Sequence, residues 1–100
     1  MDRDIVDSAP SRTFLVERYW PGVDEAMARQ VVASLEGAAL AMTAEGIPVE
    51  HVGSILMPAD QVVFSLIAAA DESAVRQVNE RAAVPVDRIA AAVTFALHRR

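Results

Sequence analysis

Apolar positions recur along this chain with two different periods, and the switches between them mark out its elements. Arg12 to Trp20 reads RTFLVERYW, rich in aromatic and β-branched residues, and stops at the turn dipeptide Pro21-Gly22, which predicts a first strand. Asp24 then offers a helix cap, and Met27, Val31, Leu35, Ala38 and Met42 follow at spacings of four, four, three and four. That spacing puts them on one face of a helix running to about Glu45. Gly46 and Pro48 stand where helix-ending residues are expected.

Beyond that point the period returns to two. Val49 to Met57 (VEHVGSILM) and Gln61 to Ala69 (QVVFSLIAA) are both strand-like, and Pro58-Ala59-Asp60 between them suits a hairpin loop. Asp71 caps a second predicted helix in which Val75, Val78 and Ala82 form the buried stripe, while Glu72, Arg76 and Glu80 stand four apart on a solvated face. After Pro85, the segment Arg88 to Leu97 (RIAAAVTFAL) has the alanine content of a helix. Its Val93-Thr94-Phe95 core and the order of the preceding elements favour a fourth strand.

The order β-α-β-β-α-β specifies an α+β, ferredoxin-like sandwich: a four-stranded antiparallel sheet with two helices on one face. The other face is left uncovered, and it should then alternate toward polar residues. It does not. In the third strand Val62, Phe64 and Leu66 point one way and Val63, Ile67 and Ala69 the other, both sets apolar. The fourth repeats this, with Ile89, Val93, Phe95 and Leu97 on one side and Ala90, Ala92 and Ala96 on the other. A large apolar patch marks an interface or ligand site, and a second copy of the chain covers it with a single surface. The expectation is a homodimer through the open sheet face.

Composition narrows the partners. At 100 residues, 53% of them hydrophobic, the chain reads as one domain over 12–98 preceded by a flexible arm over 1–11. Its net charge is −5 and all nine basic side chains are arginine. No basic stripe of the kind that neutralises phosphates is present, so nucleic acid is not expected as a partner. The sequence contains no cysteine, which removes thiolate ligands and thiol nucleophiles. The acidic opening MDRDIVDSAPSR lacks a signal-like apolar core and no apolar run reaches spanning length, so no membrane contact and a cytoplasmic location are expected.

Candidate chemistry is sparse. Metal binding needs nitrogen, oxygen or sulfur ligands that converge, and imidazole suits nickel and related ions. The two histidines are His51, in the second strand on the face expected to carry Val49, Gly53 and Ile55, and His98, in the basic stretch with Arg99 and Arg100. His98 reads as a solvated tail residue. His51 reads either as a structural or surface residue or as one that lines a site. Glu17 should share a face with Leu15 and Tyr19, with Arg18 on the other, and serves there as an ion-pair partner or a ligand. Glu50 points away from His51 unless the strand bulges. Ser54 and Ser65 have no histidine-acid pair near them in sequence, and the scattered glycines form no phosphate loop.

Taken together, FLVER (Phe14 to Arg18), the glycine turn and long helix after it, HVGS (His51 to Ser54), VFSLIAA (Val63 to Ala69) and DESAVRQVNERAAVPVDRI (Asp71 to Ile89) carry a likeness. From Thr13 to Ile89 the chain resembles a small bacterial family of ferredoxin-like domains of unknown function that includes dimeric nickel-binding proteins. It departs from the family pattern at Gln77-Val78, where members often carry Glu-His, and at Ile55, Ser65, Ile67 and Ala68, where polar residues are usual. The resemblance implies a non-catalytic homodimer that holds nickel, another divalent transition metal or a small-molecule ligand, with His51 and Glu17 as the metal ligands available. Two readings stand beside it: a dimeric α+β-barrel enzyme, monooxygenase- or cyclase-like, acting on an apolar small molecule, and a pure dimerisation module.

Overall fold

Turn chemistry and period place six elements in the computed structural model, which describes residues 12–97: β1 (Arg12–Tyr19), α1 (Glu25–Ala44), β2 (Val49–Met57), β3 (Val62–Ala69), α2 (Glu72–Ala82) and β4 (Arg88–Ala92). The arm expected over 1–11 and His98 lie outside the described residues. The strands form one antiparallel sheet in the order β2-β3-β1-β4, the ferredoxin-like arrangement expected. Among the described residues no helix is long and apolar enough to cross a membrane.

Both helices begin on an aspartate whose carboxylate accepts from a backbone N–H three residues on. Asp24 accepts from Met27 at 2.8 Å and Asp71 from Ala74 at 2.9 Å, which satisfies amides the helix itself leaves open. α1 closes with Gly46 at φ +93° and a bond from the Ile47 N–H to the Met42 carbonyl, the left-handed ending that glycine allows. α2 closes in the same way with an alanine in the left-handed position, Ala83 at φ 59°.

The stripe of α1 that meets the sheet is Ala28, Val31, Leu35, Ala39 and Met42. It is rotated slightly from the stripe the spacing predicts, with Met27 and Ala38 half-buried at its flanks. Small Ala28 and Ala39 let the helix approach closely, whereas Met27 reaches sideways into a second cluster with Val23, Val63 and Trp20. The main core lies between helices and sheet, built on Phe14, Val16 and Ile67 from the strands, Leu35 and Met42 from α1 and Val75 and Val78 from α2. Each such side chain removed from water contributes about 1.5–3 kcal/mol.

The fourth strand is shorter than the sequence suggests. It ends at Ala92, paired with Thr13, and residues 93–97 are exposed coil. Its last pair, Ala92 with Thr13, lies next to the first described residue, Arg12. The opposite face of the sheet carries neither helix. Across it lie Met57, Val62 and Tyr19 in one row, Ile55, Phe64, Glu17 and Arg88 in the next, then Gly53, Leu66, Leu15 and Ala90.

Candidate functional site

Strand alternation should put Val49, His51, Gly53 and Ile55 on one face. β2 breaks that pattern with a bulge between His51 and Gly53, where His51 pairs with Ile67 but Gly53 already pairs with Leu66. The extra residue, Val52, shifts the parity of everything after it. Val49 and His51 face the helices; beyond the bulge Ser54 and Leu56 do so, while Gly53, Ile55 and Met57 turn to the open face. His51 and Ser54, three apart, therefore share a face, which a regular strand forbids.

They meet there. His51 Nε2 lies 2.8 Å from Ser54 Oγ, and its Nδ1 lies 3.3 Å from Glu36 Oε2 on α1. The imidazole side chain is 5% exposed and the carboxylate 58%, so the pair forms an inner nitrogen and an outer oxygen at the α1–β2 edge. They line a groove of about 280 Å³ together with Ala39, Leu40, Val49 and Glu50.

The contact continues inward. Ser54 Oγ is 2.8 Å from Ser65 Oγ, and Ser65 accepts at 3.0 Å from the guanidinium of Arg18, a side chain with no solvent exposure. Arg18 also donates to Asn79 Oδ1 at 2.6 Å and to the Pro85 carbonyl at 2.8 Å. Asn79 in turn donates to the Val75 carbonyl. Burial pushes the Arg18 pKa down to about 10, with nearby Asp87 opposing the shift. It remains a cation at neutral pH, held by neutral acceptors.

A guanidinium only donates and a carboxylate only accepts, so Ser65 accepts from Arg18 and His51 Nδ1–H donates to Glu36. With the ring protonated at Nδ1 alone, Ser54 donates to His51 Nε2 and accepts from Ser65; with both ring nitrogens protonated, those two bonds reverse. Glu36, His51 and Ser54 have the acid-imidazole-hydroxyl connectivity of nucleophilic hydrolases. Both contacts of the Ser54 hydroxyl are internal, to His51 and Ser65, so that connectivity is committed to supporting the buried arginine.

Glu17 lies elsewhere. It is on the open face, 3.6 Å from Arg88 of the neighbouring strand, whereas His51 faces the helices two strands away. One chain does not bring Glu17 and His51 to a common ion. Among the described residues no three His, Asp or Glu side chains converge as a metal cage. The sequence had put Arg18 on the face opposite Glu17, as found; it did not connect Arg18 to Ser65 and Asn79, or His51 to Glu36. The signal was available in the periods, since Arg18, Ser65 and Asn79 each sit at a core phase of their element.

Residues 14–91 match the model of a family described as "Nickel responsive protein SCO4226-like". The chain belongs to the SCO4226-like family. Among solved structures, the crystal structure of SCO4226 from Streptomyces coelicolor A3(2) is similar over 84% of this chain and 99% of that one, with 24% identity and a TM-score of 0.66. That likeness supports the shared fold. No curated protein matches the chain.

Proposed function

We propose that this SCO4226-like protein is a non-catalytic homodimeric binding protein that holds a divalent transition metal, nickel by the family's description, at the groove between α1 and β2. The observation that carries the reading is the His51–Glu36 pair. Two donors bound at about 2.1 Å to one cation, with a coordination angle between octahedral and tetrahedral, stand about 3.0–3.4 Å apart. The 3.3 Å between Nδ1 and Oε2 has that spacing, with the metal replacing the Nδ1 proton and the ring's remaining proton on Nε2 donated to Ser54. Imidazole nitrogen and carboxylate oxygen are an acceptable donor set for nickel. Two protein ligands leave the remaining positions to water or to a second molecule, so the site is an open one. Glu17, paired with Arg88 on the far face, takes no part.

Calorimetric titration of untagged protein with nickel tests this. Glu36→Gln should weaken binding roughly ten- to hundred-fold and His51→Ala should weaken it more; binding retained at full affinity in His51→Ala would sink the assignment. The homodimer rests on the apolar open face, where Ile55, Met57 and Tyr19 are left exposed. Light scattering that gave the mass of a monomer at micromolar concentration would remove that part.

A further inference from the structure

The open sheet face is not the only apolar surface this fold leaves in water. Past Ala92 the chain continues as Val93-Thr94-Phe95-Ala96-Leu97. Val93 is 78% exposed and Phe95 84%, more than any apolar side chain of the open face itself, where Tyr19 and Ile55 reach 57%. In extended form Val93, Phe95 and Leu97 form a row on one side, with small Thr94 and Ala96 on the other. Ala96 instead sits in the left-handed region at φ 55°, a position alanine occupies at a cost. The segment follows the last described pair of β4, Ala92 with Thr13, and its apolar side chains are left exposed. It also lies outside the family match, which ends at residue 91.

We propose that segment 93–97 of one copy seats on the open sheet face of a second copy, and reciprocally. The proposal rests on the sheet-face homodimer and names the element that joins it. The face is uneven in a way that suits an added row. It is tall at Phe64 and Ile55, and low where Gly53, Ala68, Ala90, Ala92 and Thr13 carry little or no side chain. Nothing lies within 4 Å of where a Cβ on Gly53 would sit. A recess of about 450 Å³ opens at the Thr13 and Ala92 end, at the root of the segment. Two-fold pairing lets the root of each segment stand over the low end of the other sheet.

The chain has no cysteine, so introduced thiols report proximity directly. Full-length protein carrying Phe95→Cys, mixed with protein carrying Ala90→Cys and mildly oxidised, should give a mixed disulfide dimer in good yield. Thr94→Cys in place of Phe95→Cys should give several-fold less. In sedimentation, Val93→Asp with Phe95→Asp should raise the dimer dissociation constant at least about tenfold while the far-ultraviolet circular dichroism stays unchanged. If that double variant dimerises as well as the parent while Phe64→Asp abolishes dimerisation, the sheet pairing stands and the segment's role is overturned. A parent chain that stays monomeric at tens of micromolar overturns both.

Discussion

Arg18 is the residue on which the interior turns. A guanidinium with no solvent exposure and neutral acceptors on Ser65, Asn79 and Pro85 is a costly feature, because desolvation outweighs the opposing attraction of nearby Asp87. Removing it alone exposes that cost from the other side, since Asn79 Oδ1 and the Pro85 carbonyl lose their donor in a dry place. Arg18→Met should destabilise the fold by about 2–4 kcal/mol. Adding Asn79→Leu to that variant should restore a large part of the loss, and urea denaturation of both proteins measures the coupling. The residue was half legible in the sequence. Its phase in β1, shared with Phe14 and Val16, put it on the helix face, but the identity of its partners depends on how three separate elements pack, which no local pattern states.

At the scale of elements, the strand and helix patterns were legible because burial is periodic, and the failures are local. β4 ends at Ala92, opposite Thr13, although Val93, Thr94 and Phe95 have strand-forming side chains. β2 was misread past His51 because a bulge leaves no mark in a run of apolar residues: VEHVGSILM alternates acceptably in either parity. Deleting Val52 should make His51 and Gly53 consecutive opposite Ile67 and Leu66, a regular strand that keeps Ser54 and Leu56 on the core side and Ile55 and Met57 on the open face. The expected result is a cooperative melting transition that survives, with stability changed by no more than about 1–2 kcal/mol. The end of α2 offers the opposite change, since Ala83 occupies a left-handed position at φ 59°. Ala83→Gly should stabilise by roughly 1 kcal/mol in thermal or chemical unfolding.

The same helix end is tied to α1 by Arg81, which donates to both oxygens of Glu45 at 2.8 and 2.7 Å. These bonds hold the Glu45 carboxyl below its ordinary value of 4.5. A depressed carboxyl stabilises the fold fully above its unfolded pKa and loses that contribution as pH falls through the folded one. The melting temperature of the parent should therefore exceed that of Glu45→Gln at pH 7, and the difference should vanish in more acidic buffer below the carboxyl range.

For the whole molecule, the sheet separates two kinds of surface. The helix side holds the polar chain and its outlet at Glu36; the other side is apolar and free of helices. That division was legible in the doubled apolar pattern of β3, whereas the Glu36 to His51 contact was not, because it joins a helix to a strand edge through a bulge. The polar chain also crosses the sheet from β2 through β3 and β1 to the loop before β4. Apolar alternation alone is blind to a slip of two residues, since Val63, Ile67 and Ala69 would serve about equally opposite either neighbour. The polar chain is not blind to it. A two-residue slip of β3 would set a valine or isoleucine beneath the guanidinium and leave Ser65 facing carbon. The buried cation thus acts as an alignment mark, and the chain that folds around it has one way to count its strands.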